Sequence, residues 1–176
     1  MGADAGLASR VRDAALLEGD FVLSSGKRSR FYVDKYLFST EPSLLRDLAK
    51  EISARLPARV QRLAGVELGA VPLVAAASLC SGLPYSIVRK SAKGYGTGNS
   101  IEGRPLERGE KVVLIEDVVT TGTQVLRAAT VLEEAGAEVS GIVAVLDRRE
   151  EGSVSLGGYP FEALLRMEDL DITSMV

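Results

Sequence analysis

No histidine occurs among the 176 residues; there is one cysteine, no tryptophan, and aromatic residues make up only 5% of the chain. Without histidine the chain lacks the usual neutral-pH proton shuttle and the usual zinc ligand, so neither a Ser-His-Asp hydrolase nor a zinc enzyme is expected. The lone cysteine, Cys80, has no internal disulfide partner and ends the stretch "LVAAASLC". It is expected to be a small buried core residue in a protein of the reducing cytoplasm. No apolar run approaches ~18 residues, and the opening "MGADAGLASR" has no signal-like apolar core. Neither membrane nor export is expected. Charge of neither sign dominates, with 21 basic and 24 acidic residues and a net charge of -3. Nucleic acid and anionic membrane are therefore not expected partners, and any anion site must be assembled locally.

What is present suits one domain over residues 1–176, with 46% apolar and 26% charged residues and no repeat or linker. The first 40 or so residues stand apart: a helix at about residues 7–17, then "FVLSSGKRSRFYVDKY", read as two strands around a Ser-Ser-Gly-Lys turn. From there the pattern becomes regular. Ser39 or Thr40 can cap a helix with Pro42 in its first turn, and Leu44, Leu45, Leu48, Ile52 and Leu56 recur on one face. "RLAGVEL" reads as a strand, residues 71–80 as a helix stopped near Gly82, and "YSIVRK" and "KVVLIED" as strands. A helix at about residues 123–135 stopped by Gly136, "EVSGIVAVLDR", and a strand around "FEALLRM" complete the chain. Strands alternating with helices predict an α/β fold: a central parallel sheet flanked by helices, with right-handed crossovers and ligands beyond the carboxyl ends of the strands. Those ends carry Glu67, Arg89-Lys90, Glu116-Asp117 and Asp147-Arg148.

The segment "KVVLIEDVVTTGTQVL" concentrates the chemistry. Val112 to Ile115 read as a strand covered on both faces, running into two adjacent acids. Carboxylates only accept hydrogen bonds, so vicinal sugar hydroxyls suit Glu116 and Asp117. The following Thr120, Thr121, Gly122 and Thr123 put backbone N–H groups and hydroxyls at a helix start, where the dipole favours an anion. A ribose carrying a 5′-phosphate fits this pattern, and so does an ordinary capped turn with solvated acids. A second segment, "VRKSAKGYGTGNSIEG", leaves a strand with Arg89, Lys90 and Lys93 and continues through four glycines. Such a long glycine-rich connection predicts a lid whose cations close over a polyanion such as diphosphate; a solvated basic loop is the alternative. A P-loop is absent, and "GYGTG" does not have the dinucleotide spacing.

"VVLIEDVVTTGT" resembles the phosphoribosyl-diphosphate (PRPP) motif of the type I phosphoribosyltransferases. "FVLSSGKRSRFYVD", "GVELGAVPL", "RKSAKGYGTGNSIEG" and "VLDRRE" are, within that group, similar to the orotate phosphoribosyltransferases. The resemblance implies the type I phosphoribosyltransferase fold, with a small N-terminal hood of about residues 1–40 plus the C-terminal segment, and a core of about residues 41–150. It implies transfer of the 5-phosphoribosyl group from PRPP to orotate in pyrimidine (UMP) biosynthesis, with Mg2+ bridged by PRPP rather than bound directly by side chains. By the same resemblance Glu116 and Asp117 hold the ribose hydroxyls, while Val118, Val119, Thr120, Thr121, Gly122 and Thr123 surround the 5′-phosphate. Arg89, Lys90 and Lys93 become lid cations shared across a homodimer interface, with Lys93 assisting the leaving diphosphate. Glu67, Leu68, Gly69 and Ala70 become a loop that approaches diphosphate through its backbone and often contains a non-proline cis peptide. Thr120, Arg148, Phe31 and Tyr32 would hold orotate, whose carboxylate suits a guanidinium at Arg148. A rim salt bridge from Arg148 to Asp147 or Glu150 is the competing reading. Ser24 stands where many members carry a base-contacting lysine, which leaves Lys27 or Lys35 as candidates to replace it, and Tyr95 stands where many bacterial members carry a lid histidine. These departures keep two alternatives open: a phosphoribosyltransferase for another nucleobase, and a non-catalytic PRPP-binding regulator.

Overall fold

The computed structural model describes residues 5–22, 26, 28–90, 100–149 and 153–171. Helix α1 (Ala5–Ala15) buries Leu7, Ala8, Val11 and Ala15 at helical spacing. It passes directly into β1 (Leu16–Val22), which pairs antiparallel with β2 (Arg28–Val33), from Leu16 opposite Val33 to Val22 opposite Arg28. The strand expected to run through Tyr36 ends at Val33. Asp34 turns the chain there, its carboxylate accepting the Tyr36 N–H at 2.9 Å to cap the short helix α2 (Lys35–Ser39).

Helix α3 (Pro42–Ala54) is capped by Glu41 rather than by Ser39 or Thr40. Its carboxylate accepts the N–H groups of Ser43 (3.2 Å) and Leu44 (2.7 Å), beside a proline that has no N–H to satisfy. Leu44, Leu48 and Ile52 are buried, and Leu45 and Leu56 pack at the margin of the same core. Beyond it come β3 (Arg62–Val66), α4 (Ala70–Ser81), β4 (Tyr85–Val88), β5 (Ile101–Glu102) and β6 (Lys111–Val119), then α5 (Thr123–Glu134), β7 (Glu138–Asp147), β8 (Ser155–Leu156) and β9 (Tyr159–Arg166). A 3-10 turn (Met167–Leu170) returns to α1, where Arg12 meets Asp171 at 3.1 Å and Leu170 joins Leu7 and Val11 in one core.

The main sheet has the order β5-β4-β3-β6-β7-β9-β8. The inner pairings are parallel, as the alternation of strands and helices predicts. The two-residue edge strands β5 and β8 run antiparallel to their neighbours and were too short to read from the sequence. Strand β6 is central and packed on both faces. Val113 and Ile115 enter the core shared with α3 and α4, while Val112 and Leu114 enter the opposite core under α5. Among the described residues no helix is long and apolar enough to cross a membrane.

Two features differ from expectation in instructive ways. Cys80 is exposed, not buried. Helix α4 turns Ala70, Leu73, Val74 and Ala77 inward, and in its last turn Cys80 and the 89% exposed Leu79 fall outside that stripe. Arg62, on a central strand, is 2% exposed. Its guanidinium meets Glu110 at 2.9 Å and Ser86 at 3.1 Å and donates to the carbonyls of Arg104 and Pro105, so the buried charge is paired and hydrogen-bonded.

Candidate active site

The acid pair lies inside β6, which continues two residues beyond it to Val119. Glu116 is 8% and Asp117 1% exposed, yet both line a cleft of about 100 Å³ at the carboxyl end of the sheet. Asp117 Oδ1 accepts the Val118 N–H at 2.6 Å, and Glu116 Oε1 accepts the Asp117 N–H at 3.2 Å. Glu116 Oε2 is buried with no hydrogen-bond partner among the described residues. Burial, reinforced by the neighbouring Asp117 charge, pushes the Glu116 carboxyl up to about 8. Asp117 has a different environment. The ammonium of Lys35, delivered from α2, lies 2.7 Å from Oδ2 as an ion pair without good hydrogen-bond alignment. Burial works against the Lys35 charge, but the Asp117 contact outweighs it and the lysine pKa rises.

The same cleft is closed by the loop from Thr120 to Thr123. Gly122 takes φ +79°, a left-handed conformation that favours glycine, and a β-carbon there would come within 2.7 Å of Leu156 Cδ1, which would have to shift. The N-cap of α5 is Gly122, which has no side chain to cap it; the Thr123 N–H donates weakly to Thr121 Oγ1 at 3.4 Å, and the Thr121 and Thr123 hydroxyls lie 2.9 Å apart at the helix mouth. The first turn of a helix beside two hydroxyls has the chemistry to accept a phosphate.

The structure brings Glu67, Lys90, Glu116, Asp117 and Val118 to Thr123 together around this cleft. Lys90 is tied to Glu67 by its backbone N–H, which donates to Oε1 at 2.7 Å. Arg89 leans toward Glu67 (3.8 Å) and Glu102 (3.6 Å) and lines an adjoining hollow with Lys90 and Arg127. The peptide between Glu67 and Leu68 is cis, as the resemblance suggested for this loop. Arg148, Phe31 and Tyr32 do not line the cleft. The Arg148 backbone N–H donates to Val119 O at 2.8 Å, which holds it beside the phosphate loop, and Tyr32 packs on Phe21. Asp147 is not on the rim: it is buried and held by Arg149 at 2.9 and 2.8 Å, so it is not the partner of Arg148. Lys93, Tyr95, Lys27, Ser24 and Glu150 lie outside the described residues. A larger hollow of about 470 Å³, between β5 and the end of α5, has none of these acids and none of the threonine loop.

Two contacts with Asp117 were not legible in the sequence. Lys35 was a candidate for the base, and the fold sends its ammonium to Asp117 instead. Gly69 adopts an ordinary helical conformation, so its need for glycine is steric: a β-carbon would sit 1.6 Å from Asp117 Oδ2 and 3.0 Å from Lys35 Nζ. No spacing rule carries that signal.

Residues 41–158 match the phosphoribosyl transferase domain family. The orotate phosphoribosyltransferase of Methanocella arvoryzae is 47% identical over 154 residues, covering 86% of this chain and 87% of that protein. That of Thermoplasma volcanium is 48% identical over 162 residues, covering 91% and 95%. Among solved structures, orotate phosphoribosyltransferase from Aeropyrum pernix superposes with a TM-score of 0.79 at 32% identity, covering 98% of both chains. The Mycobacterium tuberculosis orotate phosphoribosyltransferase in complex with PRPP gives 0.74 at 29% identity, covering 95% of this chain and 98% of that one. An acid pair and a threonine-glycine cradle at the carboxyl end of a mostly parallel sheet, matched over nearly the whole length by these relatives, place the chain in the orotate phosphoribosyltransferase family.

Proposed function

We propose that the protein transfers the 5-phosphoribosyl group of PRPP to N1 of orotate, releasing diphosphate and forming orotidine 5′-phosphate for pyrimidine biosynthesis. The observation that carries this reading is the sharing of one cleft by Glu116, Asp117 and the Thr120 to Thr123 loop. The loop takes the 5′-phosphate through backbone N–H groups and the Thr121 and Thr123 hydroxyls, and the acids take the ribose diol. The unpartnered Glu116 Oε2 suits an incoming hydroxyl, since an unmet buried oxygen is costly. Two carboxylates are too few for an all-protein magnesium cage, so a magnesium ion would be carried mainly by PRPP oxygens, next to Glu116 and Asp117. Bound there, it would neutralise charge on the diphosphate.

Positioning and cation clamping supply the catalysis in this reading. Diphosphate departs as positive charge builds on the ribose ring and negative charge on the leaving oxygens. Lys90, Arg89 and Lys93 are the cations that would receive it, with Lys93 assisting the departing diphosphate. Glu67 to Gly69 meets it through backbone. Orotate reacts as its N1 anion, so no strong general base is required; Thr120, Arg148 and the backbone at Phe31 and Tyr32 hold it, with Lys27 as a further candidate contact to the base and Tyr95 as a residue of the lid. Residues 1–176 form one catalytic domain in this account, a cytoplasmic enzyme. A second copy of the chain covers α4 and shares the lid, which is supported by the outward Leu79, Cys80 and the half-exposed Tyr85.

Release of diphosphate from PRPP and Mg2+ should be measured with orotate, uracil, adenine, guanine and xanthine offered separately. Orotate alone should support turnover. Release with another base, or with none, contradicts the assignment.

A further inference from the structure

Asp117 is nearly sealed from solvent and sits beside a second acid, a setting that opposes its charge unless a cation meets it. Its backbone partner, the Val118 N–H, satisfies Oδ1 only. The cation for Oδ2 comes from a different part of the molecule: Lys35 opens α2, just after the β1–β2 hairpin, and reaches the acid through room left by the missing side chain at Gly69. The lysine side chain remains 32% exposed, so its end is free to swing aside. Glu67 and Lys90 line the same cleft, but Lys35 is the group in contact with this carboxylate.

We propose that Lys35 is a positioning residue for PRPP: it holds the Asp117 carboxylate in a fixed orientation, and the ribose diol then takes that carboxylate over. A carboxylate fixed by Lys35 and by the Val118 N–H keeps one orientation, in which its oxygens can accept from both hydroxyls of a diol. Lys35 thus acts on PRPP through Asp117, and a properly seated hairpin unit becomes a condition for a competent ribose site. This rests on the assignment of the cleft to PRPP.

The test is calorimetric titration of Mg2+-PRPP into the full chain and into Lys35→Met, Lys35→Arg, Asp117→Asn and the Lys35→Met/Asp117→Asn pair, with thermal melts of each. Lys35→Met should weaken PRPP binding about tenfold or more, Lys35→Arg should recover most of it, and the Michaelis constant for orotate at saturating PRPP should change by less than about twofold. In the Asp117→Asn background the same lysine change should have little further effect. Unchanged or tighter PRPP binding by a folded Lys35→Met chain overturns the inference, as does an equal loss in the Asp117→Asn background. If Lys35→Met does not fold, Lys35→Gln takes its place in the same cycle. Failure of the underlying assignment looks different: Asp117→Asn alone would then bind PRPP as tightly as the parent.

Discussion

Gly69 faces Asp117 so closely that a β-carbon at position 69 would lie 1.6 Å from the carboxylate oxygen Oδ2. The backbone there is ordinary helix, so alanine meets no conformational penalty, only this collision. Gly69→Ala should therefore displace Asp117 and disturb the Lys35 pair while leaving the fold standing. We expect kcat/KM for PRPP to fall on the order of 10²-fold, as for misplacements of about 1 Å in other sites. Steady-state kinetics alongside a thermal melt checks this.

The threonine loop predicts a milder loss. Thr121→Val and Thr123→Val each remove one hydroxyl from the loop mouth, and a hydrogen bond to a charged group contributes about 1.5–3 kcal/mol. PRPP affinity should drop on the order of tenfold to a hundredfold for each, with orotate affinity little changed. Because the two hydroxyls are 2.9 Å apart, the double variant should deviate from strict additivity.

Glu116 makes the protein's stability fall as pH rises. Its carboxyl titrates near 8 when folded, against 4.5 ordinarily, so between those values the folded state binds more protons than the unfolded. The stabilisation is fully present below about 4.5 and is lost as pH rises through about 8. Urea melts from about pH 5 to about pH 9 should show that decline, and Glu116→Gln should flatten it. A slope unchanged by Glu116→Gln contradicts the assignment of this proton.

Much of the fold was open to inspection because physics acts locally there. The unbroken Val112 to Ile115 run could only be a strand buried on both sides, and Gly82 and Gly136, at φ +73° and +96°, end their helices where expected. The threonine-glycine cradle was legible for the same reason: Gly122 must adopt a left-handed turn at a helix start. Contacts made across the chain were not. Nothing in the spacing of Lys35 announces that it will reach Asp117, nor that Arg149 rather than Arg148 will claim Asp147. Cys80 was misjudged because composition around it is apolar on every side of the helix, so periodicity could not say which face is turned outward.

Arg62 carries a prediction about the scaffold. Its guanidinium ties β3 to Glu110 and to the carbonyls that follow β5. Arg62→Met leaves a buried carboxylate without its partner, and breaking such a pair costs about 3–5 kcal/mol. Arg62→Met/Glu110→Leu should recover part of that loss, since no buried charge then remains unpaired. Denaturant unfolding of the two variants measures both quantities.

The most direct measurement compares the parent with Glu116→Gln/Asp117→Asn for Mg2+-PRPP affinity and orotate turnover. The account predicts a correctly folded double variant with PRPP binding weakened by orders of magnitude and turnover close to background. Parent-like affinity and turnover in that variant would contradict it, because the ribose diol would then be held by something other than these two acids.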